Sequence, residues 1–187
     1  MSAFSERELR ELTGPDYAIL DGGRHPRIRS WVIDTHTAAW CLYRGNPLPA
    51  AVEDAAPWLV RIIPGEPWVE QLFVRGWQQS WGIFLSSDAP SRELRRHLRR
   101  FLRVRTEDGR ILAFRYYDPR VLRVYLPTCI PDEIAAFFGP VTAMIAEAED
   151  RNAAHLFRQS STGLDAHLLD LSSAERPRAS AERRTSP

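Results

Sequence analysis

The length and composition of the chain predict one soluble domain with tails. Its 187 residues are 44% hydrophobic and carry a net charge of +1, enough apolar material for one core. No stretch of about 18 uncharged apolar residues occurs, so no membrane-spanning helix is expected. A charge so close to zero gives no general attraction to nucleic acid or membranes. Residues 1–6 lack the basic and apolar regions of a secretory signal, so we expect a cytoplasmic protein.

The basic residues and the cysteines limit which kinds of catalysis and covalent bond are expected. All 25 basic residues are arginine. The absence of lysine excludes Schiff-base catalysis, and every cation is a planar, forked donor suited to carboxylates and aromatic rings. Cys41 and Cys129 are far apart and have no Cys or His at ligand spacing. We interpret them as reduced, packed thiols, with a disulfide as the alternative.

The first half of the chain alternates helical and strand-like patterns. Ser5 and Glu8 form a capping box that predicts an N-terminal helix within residues 1–14. Apolar stripes that begin at Ile28 and Trp68 have helical spacing. Four apolar runs bounded by turn residues predict strands at residues 17–20, 40–43, 58–63 and 82–85. Strands that are apolar throughout and alternate with helices are typical of a parallel sheet covered on both faces.

We therefore predict an α/β domain over residues 15–146, with a mostly parallel mixed sheet flanked by helices. The Asp108-Gly109 turn between two strand-like runs predicts an antiparallel hairpin near residues 103–117, which we expect to join that sheet. The pattern does not decide between strand and helix over residues 141–171. We assign 147–171 to a C-terminal helical extension and 172–187, which lack large apolar residues, to a disordered tail.

An arginine-rich helix precedes the hairpin. Seven arginines fall between Arg92 and Arg105, on a helix whose apolar face is already occupied. They form either a solvated face or a patch for an acidic protein partner. Nucleic-acid binding is less well supported, because aromatic residues are not interleaved and no nucleic-acid-binding motif is present. Our candidates for a partner surface are Arg96, Arg99, Arg100, Arg103 and Arg120.

The segment after the hairpin predicts a corner between strand and helix. Asp118 and Pro119 have the order of an N-cap followed by the first helical residue. Arg115 lies among apolar and aromatic neighbours, so it needs a partner, and Asp118 and Asp21 are the candidates. We favour an ion pair that fixes the corner. An anion site formed by Arg115, Arg120 and the helix N-terminus is the alternative.

The motifs of common enzymes are missing. Ser86 lacks the glycine pattern of a nucleophile elbow, and Asp21-Gly22-Gly23 is not a nucleotide-binding loop. Asp34-x-His36 has no third ligand, and His97 beside an apolar stripe is interpreted as a packed residue. We expect no enzyme, metal or cofactor. The alternative is a hydrolase centred on Asp21, Ser86 and Arg115 at the carboxyl ends of parallel strands.

Several of these segments together resemble the bacterial family catalogued as domain of unknown function 4123. The segments are residues 17–22, 56–60, 97–102, 108–109, 114–122 and 138–140. The Tyr-Asp-Pro-Arg core at residues 117–120 is the most specific part. The residues we assign to the family's structural motif are Asp21, His97, Arg115, Tyr117, Asp118 and Pro119.

The resemblance implies a function as an adaptor, or effector chaperone, of type VI secretion. Such a protein binds a toxic effector and helps to load it onto the spike-tip protein of the VgrG class. We expect these two protein partners and neither nucleic acid nor membrane. The resemblance supplies no catalytic residues.

Overall fold

The computed structural model describes residues 15–34, 38–45, 47–150 and 152–171. The N-terminal helix expected within residues 1–14 and the tail expected at 172–187 lie outside these ranges. His36, the second residue of the Asp34-x-His36 pattern, also lies outside them.

The described residues form six α-helices and nine strands. The helices are α1 (Ile28–Asp34), α2 (Ala50–Asp54), α3 (Pro67–Gly76), α4 (Ser91–Leu98), α5 (Pro119–Tyr125) and α6 (Pro131–Phe138). The strands are β1 (Tyr17–Asp21), β2 (Ala39–Cys41), β3 (Pro57–Arg61), β4 (Gly82–Ser86), β5 (Arg103–Arg105), β6 (Ile111–Ala113), β7 (Ala143–Glu147), β8 (Ala153–Ser160) and β9 (Gly163–Asp170). None of the described helices has the length and apolar character needed to cross a bilayer.

The main sheet is antiparallel, so the prediction of a mostly parallel sheet is wrong. Seven strands lie in the order β2-β3-β1-β4-β7-β8-β9, and every pairing among these described strands is antiparallel. β3 and β4 run in the same direction and are joined through α3, as in a parallel unit. However, β1 lies between them and runs the opposite way. A helical stripe between two strands shows how they are connected, but not whether they are neighbours.

The sheet is covered on both faces, as the apolar runs predicted. All five residues of β1 are buried. Ala18 and Leu20 pack into a core with α1 and α3 on one face, whereas Ile19 packs into a core with α4, α5 and α6 on the other. Continuous apolar character therefore indicated burial on both sides correctly. It carried no information about strand direction.

The hairpin is present but does not join the main sheet. β5 and β6 pair antiparallel as a separate two-stranded sheet. Its turn contains Gly109 at φ +83°, a conformation that glycine adopts without strain. All six residues of the two strands are exposed. The expectation that this hairpin extends the main sheet is wrong, because among the described strands β5 and β6 pair only with each other.

The assignment of residues 147–171 to a helical extension is also wrong. The segment forms β8 and β9, which pair over their full length and continue the sheet beyond β7. Its alanine and leucine content favours helix locally, but strand formation depends mainly on tertiary partners. β7 supplies that partner by pairing with β8 from Met144 to Glu147.

Candidate partner-binding site

Asp21 and Arg115 form the ion pair expected at the corner. Asp21 ends β1 and is only 1% exposed. Its carboxylate accepts hydrogen bonds from the Arg115 guanidinium and, at 3.0 Å, from the backbone N–H of Gly23. The bond to Asp21 raises the pKa of Arg115, although burial opposes this shift. The pair ties the segment after the hairpin to the main sheet.

Asp118 is paired with Arg120 and caps α5. The Asp118 carboxylate accepts bonds from the backbone N–H of Arg120 at 3.0 Å and from its guanidinium at 3.0 and 2.6 Å. Burial alone would raise the pKa of Asp118, but the bonds from Arg120 outweigh burial and lower it. Buried carboxylates thus occupy the guanidiniums of Arg115 and Arg120. The helix N-terminus is capped, so the geometry favours the structural interpretation over an anion site.

His97 joins α4 to the end of α6. Its Nε2 atom bonds to the carbonyl oxygen of Phe137 at 2.8 Å, and its ring packs edge-on against Phe101. Burial lowers the pKa of His97, while the bond to Phe137 opposes this effect. Burial also raises the pKa of Tyr117. These residues hold the fold together, and neither Asp21, Arg115 nor His97 lines either of the two large grooves described below.

A groove of about 700 Å³ separates the hairpin from the segment that follows β2. We call it the hairpin groove. Its lining residues are Leu42, Tyr43, Arg44, Leu48, Val52, Arg99, Arg100, Leu102, Arg103, Ile111, Leu112 and Ala113. The first five belong to the wall that includes α2, and the last three are the whole of β6. The groove therefore has two largely apolar walls and a base that carries arginines.

The arginines of the hairpin groove differ in what they bind. Arg99 donates to the carbonyl oxygens of Leu42 and Cys41, both at 2.9 Å, and so holds the wall in place. The side chains of Arg44, Arg100 and Arg103 belong to exposed residues and make no hydrogen bond or ion pair with another described residue. These three side chains remain available to a partner.

A smaller hollow of about 280 Å³ adjoins the groove and is lined by arginine alone. We call it the arginine hollow. Its residues are Arg44, Arg92, Arg95, Arg96 and Arg99, of which the first and last also line the hairpin groove. Arg95 lies over the Trp40 ring at 5.6 Å, and burial followed by the nearby Arg99 lowers its pKa. No carboxylate of the described residues lines either space, so positive charge is concentrated there.

A second large groove, of about 750 Å³, lies on the other side of the molecule's sheet beside α1. Trp31 and Trp81 line it together with Arg27, Arg75 and Asp34. Its charges are of both signs, and the segment that follows Asp34 is outside the described residues. The hairpin groove is the better defined candidate.

Comparison with known proteins identifies the family. The family model for Domain of unknown function (DUF4123) matches residues 17–136. The chain belongs to the DUF4123 family. No curated protein and no solved structure matches the chain.

Every lining residue of the hairpin groove lies inside the DUF4123 match, whereas β7, β8 and β9 lie beyond it. Of the arginines chosen from the sequence, Arg99, Arg100 and Arg103 line the groove and Arg96 lines the hollow. Arg120 lines neither and pairs with Asp118 instead. The DUF4123 domain therefore brings four of the five candidates to one continuous surface.

Sequence reasoning missed the apolar part of this DUF4123 surface. Ile111 is 58% exposed and Leu112 45% exposed, and both line the groove, as do Leu48 and Val52. Exposed apolar residues that cluster in a groove indicate a binding surface. The available signal was three consecutive apolar residues in a hairpin too short to build its own core. The expectation that the hairpin joins the main sheet did not point to this surface.

Proposed function

We propose that this DUF4123 protein is an adaptor that binds a toxic effector of type VI secretion and helps to load it onto a VgrG-class spike-tip protein. Its action is stoichiometric protein binding without catalysis, and it takes place in the cytoplasm before secretion. Family membership supports this proposal. The observation that carries it is the hairpin groove, where exposed apolar residues lie beside arginines that have no partner among the described residues.

The mechanism follows from holding two proteins at once. One surface binds the effector and another binds the spike, so that tethering raises the local concentration of the effector at the spike. Each stable contact should bury on the order of 1,200–2,000 Å² in total. The hairpin groove alone is smaller than such an interface. It therefore serves as the anchoring centre of a larger contact, where a few buried residues dominate the binding energy.

The direct test is reconstitution from purified components. The full chain is mixed with the effector encoded beside it, with the spike protein, and with both. We expect a binary complex with the effector and a ternary complex with both, measured by size-exclusion chromatography with light scattering. Retention of neither protein, at low salt as well as at physiological salt, would remove the proposal.

A secretion assay tests the same function in cells. Deletion of the gene should abolish export of the effector and leave export of the spike protein largely unchanged. Export of the effector at the wild-type level in the deletion strain would contradict an adaptor role. Turnover of a small compound by the purified chain, lost on substitution of a groove residue, would point to an enzyme instead.

A further inference from the structure

We propose that the hairpin groove recognises the effector through an acidic segment that carries at least two large apolar side chains. This inference rests on the adaptor function proposed above and names the chemistry of the partner at that site. Two independent properties of the groove, its charge and its apolar walls, lead to it.

The charge of the surface requires an acidic occupant. Arg44, Arg100 and Arg103 line the groove, and Arg92 and Arg96 continue the surface into the arginine hollow. Within the part of the chain that the structure describes, no carboxylate lines either space. The whole chain has a net charge of only +1, so this positive charge is a local feature and not a property of the entire protein. Guanidinium groups bind carboxylates through paired hydrogen bonds, which favours glutamate and aspartate in the partner.

The walls of the groove require apolar side chains. Ile111 and Leu112 on the hairpin line one wall of the groove, and Leu48 and Val52 line the opposite wall. These residues are partly exposed in the free protein, and an apolar partner would remove their surface from water. An acidic segment without apolar residues would leave this contact unmade. The partner must therefore combine both kinds of side chain.

The same features favour protein over nucleic acid. Single-stranded nucleic acid is usually held by exposed aromatic rings that stack on the bases. Tyr43 is the aromatic residue among those lining the groove, and it is half-buried. Isoleucine, leucine and valine provide no stacking surface of this kind.

The chain's own C-terminal segment does not fit the groove by charge. Residues 172–187 contain four arginines and two glutamates, so their charge has the same sign as the groove. Charge complementarity therefore argues against this segment as the occupant of the groove.

The first experiment maps the segment and its chemistry. Fluorescent peptides tiled along the effector encoded beside the gene are titrated into the full-length protein, and anisotropy is measured. We expect the binding peptides to be net acidic and to carry two or more large apolar residues. Changing their Glu and Asp residues to Gln and Asn, or their apolar residues to Ser, should each weaken binding by about tenfold or more. Binding by basic peptides, or by peptides that tolerate both changes, would overturn the inference.

The second experiment places the segment in the groove by matched substitutions. Leu112→Glu is compared with Val74→Glu, because both replace an exposed apolar residue but Val74 lies on α3, away from the groove. Arg100→Glu with Arg103→Glu is compared with Arg158→Glu, an exposed arginine on β8. The groove variants should lose about tenfold or more in affinity for the intact effector, and the control variants less than about twofold.

Reversing the charges of both the arginines and the peptide tests whether they are in direct contact. The Arg100→Glu and Arg103→Glu variant should regain affinity for a peptide in which the acidic residues are changed to arginine. A merely unfolded variant would not regain affinity for any peptide. The absence of rescue, with circular dichroism showing the variant to be folded, would overturn direct contact between these arginines and the acidic segment.

The outcomes of these experiments distinguish failure of this inference from failure of the adaptor proposal. Equal binding of the intact effector by groove and control variants would overturn the inference and leave the adaptor function standing. Failure of the wild-type chain to bind effector or spike would overturn both. Groove-dependent binding of a single-stranded RNA oligonucleotide that competes with the effector would overturn the inference in favour of nucleic acid.

Discussion

Two buried carboxylates, Asp118 and Glu147, are stabilised by donors of different charge. Asp118 accepts from the guanidinium of Arg120, whereas Glu147 accepts from the neutral backbone N–H groups of Gln78 and Ser80. Burial raises the pKa of both groups, but only at Asp118 do the opposing bonds from a cation outweigh it. The pKa of Asp118 is therefore lowered and that of Glu147 is raised. The two groups should change the stability of the protein with pH in opposite directions.

Asp118→Asn should remove the stabilisation that the ionised carboxylate of Asp118 contributes to the folded protein. Because the folded pKa of Asp118 is lowered, its contribution is complete above the unfolded pKa of about 3.9 and is lost as pH falls through the folded pKa. Asparagine still caps the helix, and Arg120 is 50% exposed, so the loss at neutral pH should be about 1 kcal/mol. Urea unfolding followed by Trp fluorescence from pH 3 to 7 should show the difference from wild type shrinking at low pH. A constant difference across this range would contradict the assignment.

Glu147→Gln should show the opposite pH trend. Because the folded pKa of Glu147 is raised, its contribution is present below the unfolded pKa and is lost as pH rises through the folded pKa. The difference between wild type and this variant should therefore shrink as pH rises. Glu147→Ala should cost about 2–5 kcal/mol at low pH and less at high pH, since the backbone N–H groups of Gln78 and Ser80 lose their acceptor. Glu149→Gln is the control, because its side chain is 87% exposed, and it should leave the unfolding curve unchanged.

At the scale of elements, the contact between α4 and the end of α6 depends on Gly139. This residue has φ +50°, and a Cβ atom there would lie 2.7 Å from Nδ1 of His97. Gly139→Ala should therefore combine backbone strain with a clash and destabilise the protein by about 2–4 kcal/mol. Gly109→Ala is the matched control, because Gly109 has φ +83° with no atom within 4 Å of its Cβ position. It should cost only the strain, about 1–2 kcal/mol.

A double-mutant cycle separates the clash at Gly139 from the strain. His97→Ala removes the ring that a Cβ atom at position 139 would meet, but it also loses the bond to Phe137. The double variant Gly139→Ala, His97→Ala should be more stable than the sum of the single changes by about 1 kcal/mol or more. Additive free energies of unfolding would show that the two residues do not interact.

Helices and turns that depend on residues close together in the sequence were predictable. The Asp118-Pro119 pair predicted the start of α5, and Asp118 does bond to the N–H of Arg120. The Asp108-Gly109 turn predicted the hairpin for the same reason, since the turn residues alone determine its geometry. The position of that hairpin, apart from the main sheet, depends on packing between distant segments. The arginines of the candidate site were therefore recognised, and its apolar walls were not.

At the scale of the whole molecule, strand order depends on contacts that no local pattern encodes. β1 is inserted between β3 and β4, so it pairs with two strands that are far away in sequence. The apolar runs predicted how deeply these strands are buried but could not predict which of them pair. In the C-terminal segment, Ala153–Ser160 pairs with β7 on one side and β9 on the other, and its residue content did not indicate these partners.

A designed disulfide tests the strand structure of the C-terminal segment. Arg158 on β8 lies directly opposite Asp165 on β9. Opposite residues of an antiparallel pair have Cα atoms about 4.5–5.5 Å apart, within the range that a disulfide spans. In a helix, residues seven apart would be separated by about 10 Å, which is too far for a disulfide. Cysteines at positions 158 and 165, with Cys41 and Cys129 changed to serine, should therefore form a disulfide on mild oxidation.

The control moves one cysteine by a single residue. With cysteines at positions 158 and 166 the backbone remains close, but the two side chains point to opposite faces of the sheet. This pair should stay reduced under conditions in which the 158–165 pair is fully oxidised, as measured by thiol titration and mass spectrometry. Equal oxidation of both pairs would indicate a segment without fixed register. Oxidation of neither pair would contradict the assignment of β8 and β9 as paired strands and favour the helical interpretation of the segment.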